Sequence, residues 1–408
     1  MTLAARTRSE IKTWLETLLK NENIDNLDFT ISGNSEQGDG YVGDILFVEV
    51  CGTTKDETKN YNLVLKCSKR SQALREKSPV KEAFLSEIYF YDIVFPSFRK
   101  FQHDRNITEP FEKVPKCYGT LTTGDTEVLA LENLKNRGYF LWDKTKPLTR
   151  PYIDLIVKEY GKFHAVSIAM QDQEPEIFQK LVGGLDHVLK RFFQASTEMY
   201  NNMGGAIVEI CDLLKGELDD RILHKWYELN QQVEPFYTKA CEPLEGMNVI
   251  THGDCWCNNF MHYNKDGKPL TAAMLDWQMM TYSPPIFDLS YFLFACLSED
   301  DINDMDTILE YYFEFLTDHL EKLGSSKSLY AREHFLEDWR KYNKFGLLMA
   351  PVIHKFCLSE KNDAPDMTEA AEKGEDILKV FMKPIKNIKK YKERMKYIVK
   401  YSVENNII

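Results

Sequence analysis

The residues best suited to chemistry lie in two short stretches, near positions 250 and 275. Val249-Ile-Thr-His-Gly-Asp-Cys-Trp-Cys-Asn-Asn-Phe260 contains Asp254 and, five residues later, Asn259. Ala273-Met-Leu-Asp-Trp-Gln278 contains Asp276 directly after an apolar triplet. Each stretch predicts a short buried strand that delivers an acidic residue to the mouth of a cleft. Two carboxylates and an amide that meet in one cleft can position a hydroxyl group and hold a hard cation such as Mg²⁺.

This set of side chains matches what phosphoryl transfer requires, which is mainly positioning and charge neutralisation. His252-x-Asp254 followed by Asn259 has the spacing of a kinase catalytic loop. In such a loop the aspartate contacts the incoming hydroxyl and the asparagine binds magnesium. Taken singly, these residues are more often turn formers or a buried structural histidine. As an ordered set they predict Asp254 as the catalytic residue, Asn259 and Asp276 as metal ligands, and His252 as a support of the loop.

The preceding part of the chain contains a candidate lysine and a candidate glutamate for binding the phosphates of a nucleotide. Asn62-Leu-Val-Leu-Lys-Cys67 predicts an apolar strand that carries Lys66 at its end. In the next helical pattern Glu87 lies near the apolar face, whereas Glu82 points away from it. Lys66 is therefore predicted to bind the α- and β-phosphates of ATP while paired with Glu87.

A glycine-rich stretch precedes the lysine, with Gly38-x-Gly40-x-x-Gly43 running into a strand pattern. It fits a hairpin whose backbone amides approach phosphates, so Gly38 and Gly40 are predicted to bind the nucleotide. An ordinary β-turn explains the glycines about as well. The strand that follows argues against a dinucleotide-binding site, which would need a helix there. Asp39 and Asp44 are unfavourable neighbours for phosphates, and no contact is assigned to them.

The strand pattern that ends in Glu132-Asn-Leu134 predicts the segment that connects the two lobes. The backbone at Glu132 and Leu134 is predicted to bind adenine there.

The sequence resembles the ecdysteroid kinase-like family, within the choline kinase and aminoglycoside phosphotransferase group. The resemblance rests on four segments: His252-Gly-Asp-Cys-Trp-Cys-Asn-Asn259, Leu275-Asp-Trp-Gln278, Ser283-Pro-Pro-Ile-Phe-Asp-Leu289 and Phe163-His-Ala-Val-Ser-Ile-Ala169. It implies an α+β, bilobal protein kinase-like fold, ATP and Mg²⁺ as cofactors, and phosphorylation of a hydroxyl on a small molecule. Ecdysteroids are the named substrates of the family. Glu132-Asn-Leu134 departs from the commoner Glu-Asp-Leu, which affects only the middle side chain.

The predicted mechanism is direct, in-line transfer of the γ-phosphoryl group of ATP to a substrate hydroxyl that Asp254 orients. Asp288 is expected to stabilise the catalytic loop, although its place at a predicted helix start also fits a cap. The acceptor is predicted to be an uncharged, largely apolar alcohol. Its pocket would use the aromatic and aliphatic residues Phe192, Phe193, Tyr200, Met203, Tyr291, Phe292 and Phe294, although apolar residues at helical spacing are more often core. The alternatives are a choline or amino-alcohol kinase and a catalytically inactive kinase-like binding protein.

Composition limits the partners and the compartment. The 408 residues carry a net charge of −12, which argues against nucleic acid as the main partner. The nine cysteines are scattered, which predicts a reducing, cytoplasmic environment. Cys255-Trp-Cys257 lacks a second pair of ligands at zinc spacing and is interpreted as loop packing. The longest apolar run is too short to span a bilayer, and no obligate protein partner is evident.

The chain divides into three predicted parts. Residues 1–30 form a helix and a linker, residues 31–132 a mainly β N-lobe with one key helix, and residues 133–408 a large, mainly helical C-lobe. Long C-lobe helices are predicted at Tyr152–Met170, Phe178–Tyr200, Ile207–Leu214, Arg221–Lys239, Phe287–Leu297, Asp301–Leu323 and Ala331–Cys357. The basic tail from Lys383 predicts a docked helix with a solvated basic face, and a membrane-surface or anionic-ligand role is the alternative.

Overall fold

The computed structural model describes residues 6–34, 42–55, 57–195, 198–359, 366–375 and 386–408. The fold is α+β, with a β-sheet N-lobe and a mostly helical C-lobe, as predicted. The N-lobe sheet is antiparallel with strand order β1-β2-β3-β5-β4. Its strands are β1 (Asp25–Asn34), β2 (Gly43–Thr53), β3 (Thr58–Ser68), β4 (Cys117–Thr122) and β5 (Glu127–Glu132).

The two faces of this sheet contact different parts of the protein, because side chains alternate along a strand. One face is covered by helix α1 (Arg8–Leu18), whose Trp14 and Leu15 pack in a core with Leu46 and Leu65. The opposite face, which includes Lys66, lines the cleft between the lobes. The strand alternation therefore turns the lysine toward the cleft while its neighbours form the lobe's core.

The linker predicted within residues 1–30 is wrong. Residues 25–34 form β1, which pairs with β2. Leu27 and Phe29 alternate with polar residues and are buried in the core that contains α1. The strand is short of apolar residues because only one of its faces is covered, and α1 and β1 are both parts of the N-lobe.

Three helices follow β3: α2 (Gln72–Lys77), α3 (Val80–Tyr89) and α4 (Phe95–His103). The end of α3 is fixed to the C-lobe. Phe90 stacks on Trp277 with ring centroids 3.7 Å apart, and Ser86 Oγ donates to the Trp277 carbonyl at 3.3 Å. Tyr89 Oη donates to the Leu181 carbonyl at 3.0 Å. The helix that carries Glu87 is therefore tied to the C-lobe at its C-terminal end.

The C-lobe is built from helices α5 to α17 around a large apolar core. Their bounds are α5 (Arg150–Gln173), α6 (Pro175–Gly183), α7 (Val188–Ala195), α8 (Met199–Leu213), α9 (Asp220–Asn230), α10 (Val233–Ala240), α11 (Pro285–Cys296), α12 (Glu299–Asn303), α13 (Met305–Lys322), α14 (Arg332–Tyr342), α15 (Lys344–Leu358), α16 (Met367–Glu372) and α17 (Ile388–Glu404). None of these helices is long and apolar enough to cross a bilayer, within the described parts of the chain.

Several predicted helices are broken into two or three, which corrects the sequence interpretation. The segment 178–200 spans the end of α6, all of α7 and the start of α8. The first break follows α6, which ends at the glycine pair Gly183-Gly184, and such pairs are typical of turns. The predicted helices at 221–239, 301–323 and 331–357 break near Gln231, Asp304 and Asn343.

Short strands in the C-lobe place the loops of the predicted site. Strand β7 (Val249–Thr251) pairs with β10 (Thr281–Ser283), and β6 (Phe140–Leu141), β8 (Phe260–Lys265) and β9 (Lys268–Met274) form a three-stranded sheet. The loop with Asp254 connects β7 to β8, and Asp276 follows β9. Both stretches therefore open onto one edge of the lobe.

The basic tail forms α17, which is docked on the C-lobe through its apolar face. Tyr391, Met395 and Ile398 are buried there. On the exposed side, Lys392 and Lys396 pair with Glu217.

Candidate active site

A cleft between the lobes encloses a cavity of about 330 Å³. Seven of the predicted site residues line it, and they are Lys66, Glu87, Glu132, Leu134, Asp254, Asn259 and Asp276. The two predicted supports, His252 and Asp288, are buried and do not line it. Gly38 and Gly40 lie outside the described residues, so their predicted contact with the nucleotide stays a prediction.

The carboxylate of Asp254 is held from two sides. Asn259 Nδ2 donates to two oxygens of Asp254, the backbone carbonyl oxygen and the side-chain Oδ2, both at 2.8 Å. Tyr291 Oη donates to Oδ1 at 3.0 Å. Burial raises the pKa of Asp254 above its ordinary value, and the Asp276 carboxylate raises it further. This carboxylate is thus oriented and more basic than an exposed aspartate, which suits contact with a hydroxyl proton.

Asp288 anchors the backbone of the loop. Its carboxylate accepts hydrogen bonds from the amides of His252 at 2.7 Å and Gly253 at 2.8 Å, and from the Cys255 thiol. Burial raises the pKa of Asp288, but hydrogen bonding with His164 and Gly253 outweighs it, so the pKa is lowered overall. Asp288 lies in the first turn of α11 and the cap position belongs to Pro284, so the alternative interpretation as a helix cap is wrong.

His252 joins the loop to the strand that precedes Asp276. Its Nε2 donates to the Leu275 carbonyl at 2.8 Å, and its Nδ1 accepts from the Asp254 amide at 3.2 Å. A ring that donates at one nitrogen and accepts at the other is the neutral Nε2–H tautomer. The histidine therefore links the two segments that carry the predicted catalytic and metal-binding aspartates.

His164 was not singled out from the sequence. It lies on α5, where Nδ1 is 2.7 Å from Tyr312 Oη and Nε2 is 3.1 Å from Asp288 Oδ2. The signal was one polar side chain inside the apolar run Phe163-His-Ala-Val166. A buried histidine in such a run needs partners, and here one of them is Asp288, which holds the catalytic loop.

Lys66 bridges two carboxylates across the cleft. Its Nζ donates to Glu87 Oε2 at 2.6 Å and to Asp276 Oδ1 at 2.8 Å. Burial lowers the pKa of Lys66, but the two carboxylates outweigh it and the pKa is raised. Burial raises the pKa of Glu87 to about 7, and Lys66 opposes that shift. Lys66 is thus a fixed cation beside Asp276, where phosphate charge would need neutralisation.

Asp276 has a backbone conformation that few residues other than glycine adopt, with φ 65° and ψ 72°. Aspartate tolerates this left-handed region better than most side chains, yet it costs energy. Strain of this kind is typical of functional positions. The side chain of Asp276 is 33% exposed, whereas that of its partner Glu87 is 1% exposed. Asp276 is therefore the carboxylate of the pair that a ligand in the cleft can reach.

Asp276 and Asn259 carry oxygen atoms of the kind that magnesium binds, and both line the cleft. Asn259 uses Nδ2 toward Asp254, so its oxygen is the atom suited to a cation. No group of three or more histidine, cysteine or acidic side chains forms a metal site among the described residues. Magnesium commonly takes only one or two carboxylates from the protein and takes its other ligands from phosphates and water.

The two cysteines of the catalytic loop have partners in the surrounding core. The Cys255 thiol donates to Asp288, and Cys257 contacts other buried thiols. These contacts agree with the interpretation of both residues as loop packing.

The Asp44 carboxylate faces away from the cleft. Arg6 donates to it at 2.6 Å and also to the Ser68 carbonyl at 2.9 Å. Its neighbours Gly43 and Ile45 line the cavity, as strand alternation requires. The charge of Asp44 is therefore compensated on the far face of the sheet, and it does not oppose phosphates in the cleft.

The predicted acceptor-pocket residues are mostly core. Only Phe192 lines the cavity. The other six are packed inside the C-lobe or half-buried against its core, and they are Phe193, Tyr200, Met203, Tyr291, Phe292 and Phe294. Trp256 and Met279, which the sequence did not indicate, line the cavity beside Asp254. Apolar residues at helical spacing could not be separated into core and pocket without knowing where the helices break.

Gly253 should not tolerate a side chain. Its φ is +82°, and a Cβ would stand 2.1 Å from the Met279 carbonyl oxygen. We expect Gly253→Ala to displace the catalytic loop and to lower the free energy of unfolding by roughly 2–5 kcal/mol, the sum of backbone strain and overpacking. Chemical denaturation measures this. Gly267→Ala is the control, because Gly267 has a φ of +74° but nothing within 4 Å of the added Cβ. Equal losses in the two variants would contradict the predicted clash.

The chain is similar to one known protein family and to solved structures of phosphotransferases and kinases. The model of the ecdysteroid kinase-like family matches residues 37–325. A solved structure of aminoglycoside 2'-phosphotransferase-IIIa in its GDP complex is 11% identical, over 98% of this chain and 100% of that chain, with a TM-score of 0.42. Glucosamine kinase is 9% identical, over 90% of this chain and 95% of that chain, with a TM-score of 0.28. No curated protein matches the chain.

Proposed function

Because this chain belongs to the ecdysteroid kinase-like family, we propose that it is an ATP- and Mg²⁺-dependent kinase for a hydroxylated small molecule. The observation that carries the proposal is the assembly of Lys66, Glu87 and Asp276 in one cleft with the Asp254–Asn259 pair. An ion-paired lysine, a carboxylate beside it and an oriented second carboxylate are the parts that phosphoryl transfer needs.

ATP binds in the cleft with its adenine between the N-lobe sheet and the C-lobe. The apolar residues Val64, Leu131, Leu134 and Met261 line the cavity and would contact the ring. The backbone at Glu132 and Leu134 supplies the hydrogen bonds to adenine, as in other two-lobed kinases. Lys66 binds the α- and β-phosphates, and Glu87 holds the lysine in place. Asp276 and Asn259 would hold Mg²⁺, which would supply neutralisation of the phosphate charge.

In the transfer step, the acceptor oxygen forms a bond to the γ-phosphorus as the bond from that phosphorus to the β-phosphate oxygen breaks. Asp254 orients the acceptor hydroxyl and takes its proton, and ADP is the leaving group. The products are ADP and a phosphate monoester. The raised pKa of Asp254 supports this role, since a more basic carboxylate is a better proton acceptor.

The charges of the cleft support a neutral acceptor over a cationic one. Among the described residues that line the cavity, Glu87 and Asp276 pair with Lys66, and Glu132 pairs with Arg137. Asp254 is assigned to the hydroxyl itself. No further carboxylate remains there for an ammonium group, whereas Phe192, Trp256 and Met279 offer apolar surface. An apolar pocket with few polar groups is how proteins hold molecules such as sterols.

Acceptor choice is tested by ADP release with ecdysteroids, choline, ethanolamine and plant phenolic glycosides as substrates. We expect at least one neutral hydroxylated compound to be phosphorylated and choline to be turned over poorly, because the described residues that line the cleft offer no carboxylate beyond those already assigned. Efficient turnover of choline with no neutral alcohol accepted would favour the amino-alcohol kinase alternative. Tight nucleotide binding with no transfer to any acceptor would favour the inactive binding protein.

All nine cysteines are free thiols. This supports the cytoplasm as the site of action, because reduced thiols are kept in that compartment.

A further inference from the structure

Tyr291 has a position that the proposed reaction does not yet explain. It lies on α11, three residues after Asp288, so both side chains leave the same face of the helix. Asp288 holds the amides of His252 and Gly253, and Tyr291 reaches the side chain of the next residue, Asp254. One helix face therefore contacts both the backbone and the reactive side chain of the catalytic loop.

The hydroxyl of Tyr291 is the second hydrogen-bond donor to the Asp254 carboxylate. Tyr291 Oη lies 3.0 Å from Oδ1, and Asn259 Nδ2 lies 2.8 Å from Oδ2. Two donors on opposite oxygens fix the rotation of the carboxylate about its final bond. A carboxylate can accept about four hydrogen bonds, so a lone pair remains for the acceptor hydroxyl. With only one donor, the carboxylate would rotate away from the attacking oxygen more often.

The tyrosine ring is held by packing rather than by ligand contact. Tyr291 is 3% exposed and is not among the residues that line the cavity. Its ring meets Phe345 edge-on, with centroids 6.3 Å apart, and Phe345 stacks on Phe287 at 4.2 Å. Removing the hydroxyl alone should therefore leave the ring in place.

We propose that Tyr291 is a positioning residue for phosphoryl transfer, whose hydroxyl fixes the Asp254 carboxylate in the orientation that receives the acceptor's proton. The inference rests on the proposed function and adds a residue that acts on the chemical step but not on binding. Misplacement of a reacting group by about 1 Å can cost a factor of about 100 in rate. The hydroxyl should therefore matter for kcat far more than for KM.

The test is Tyr291→Phe in the full-length protein. We expect kcat to fall by about 10- to 100-fold, because Asp254 loses one of its two orienting donors. The KM values for ATP and for the acceptor should stay within about twofold, since neither ligand contacts Tyr291. Transfer to water, measured as Mg²⁺-dependent ATP hydrolysis, gives a second reading that needs no identified acceptor. Calorimetry with ADP and Mg²⁺ measures nucleotide affinity directly.

Tyr330→Phe is the matched control. Tyr330 is also buried and donates to a carboxylate, that of Asp338, at 2.9 Å. It is absent from the cavity lining, so its removal should lower the melting temperature by a similar amount without changing kcat. A purely structural role for Tyr291 would make the two variants behave alike.

The outcomes separate this inference from the proposed function. Phosphoryl transfer by the wild-type protein together with an unchanged kcat in Tyr291→Phe overturns only the positioning role. An equal loss of kcat in Tyr330→Phe also overturns it. A wild-type protein that transfers phosphate to no acceptor and not to water overturns the proposed function, and the role of Tyr291 falls with it.

Discussion

Asp254→Asn is expected to lower turnover by about 10²–10⁴-fold, the usual contribution of a general base and positioning group. The amide has nearly the shape of the carboxylate but cannot take the proton of the acceptor hydroxyl. Nucleotide affinity should be almost unchanged, because Asp254 faces the acceptor rather than the metal in the proposed mechanism. Initial rates give turnover, and calorimetry with ADP and Mg²⁺ gives the affinity.

Asp266→Asn serves as the control for the loss of one negative charge. Asp266 lies in the turn between β8 and β9 with a φ of 51°, a conformation that asparagine also tolerates. This control should retain full activity. If Asp254→Asn kept more than about a tenth of wild-type turnover, the catalytic assignment of Asp254 would be wrong, given what such groups contribute.

Asp276→Ala is expected to remove the Mg²⁺-dependent part of ATP binding. The variant loses the carboxylate that is proposed to bind the metal and one of the two partners of Lys66, so phosphate charge would be left uncompensated. Even residues that only support metal ligands change metal affinity by about 10- to 100-fold, and a direct ligand should matter at least as much. Calorimetry with ATP, in the presence of Mg²⁺ and of a chelator, separates the two contributions.

The wild-type protein should bind ATP much more tightly with Mg²⁺ than with the chelator, and Asp276→Ala should show no such difference. Asp276→Asn tests the carboxylate with the backbone preference preserved, because asparagine also adopts positive φ. An unchanged response to Mg²⁺ in both variants would mean that Asp276 is only a strand-end residue and that the metal site lies elsewhere.

The sequence was informative where the site is local. Asp254 and Asn259 lie within one loop, and their spacing predicted that they would meet. Lys66 could be placed because it ends an apolar strand pattern ahead of the catalytic loop, and Glu87 because it lies near the apolar face of the helix that follows. The two-lobed fold was implied by the family resemblance, and the patterns agreed with it, since strands dominate one part of the chain and helices the other.

The sequence was uninformative where partners are distant. Tyr291 lies 37 residues from Asp254, and His164 lies 124 residues from Asp288. No local pattern announces such pairs, so Tyr291 was taken for part of the acceptor pocket. Strand β1 was missed because only Leu27 and Phe29 bury deeply. The breaks in the C-lobe helices were missed because apolar spacing does not mark where a helix ends, and the turn signal Gly183-Gly184 was passed over.

Transfer of a labelled γ-phosphate from ATP to an alcohol is a direct test of the proposed kinase activity. The protein is incubated with Mg²⁺ and ATP labelled at that position, with the panel of neutral and cationic alcohols, and the products are identified by mass spectrometry. We expect a labelled phosphate monoester on a neutral hydroxylated compound, formed by the wild-type protein and by Asp266→Asn but not by Asp254→Asn. Equal product from Asp254→Asn and the wild type, or binding of ATP without transfer to any acceptor or to water, would contradict it.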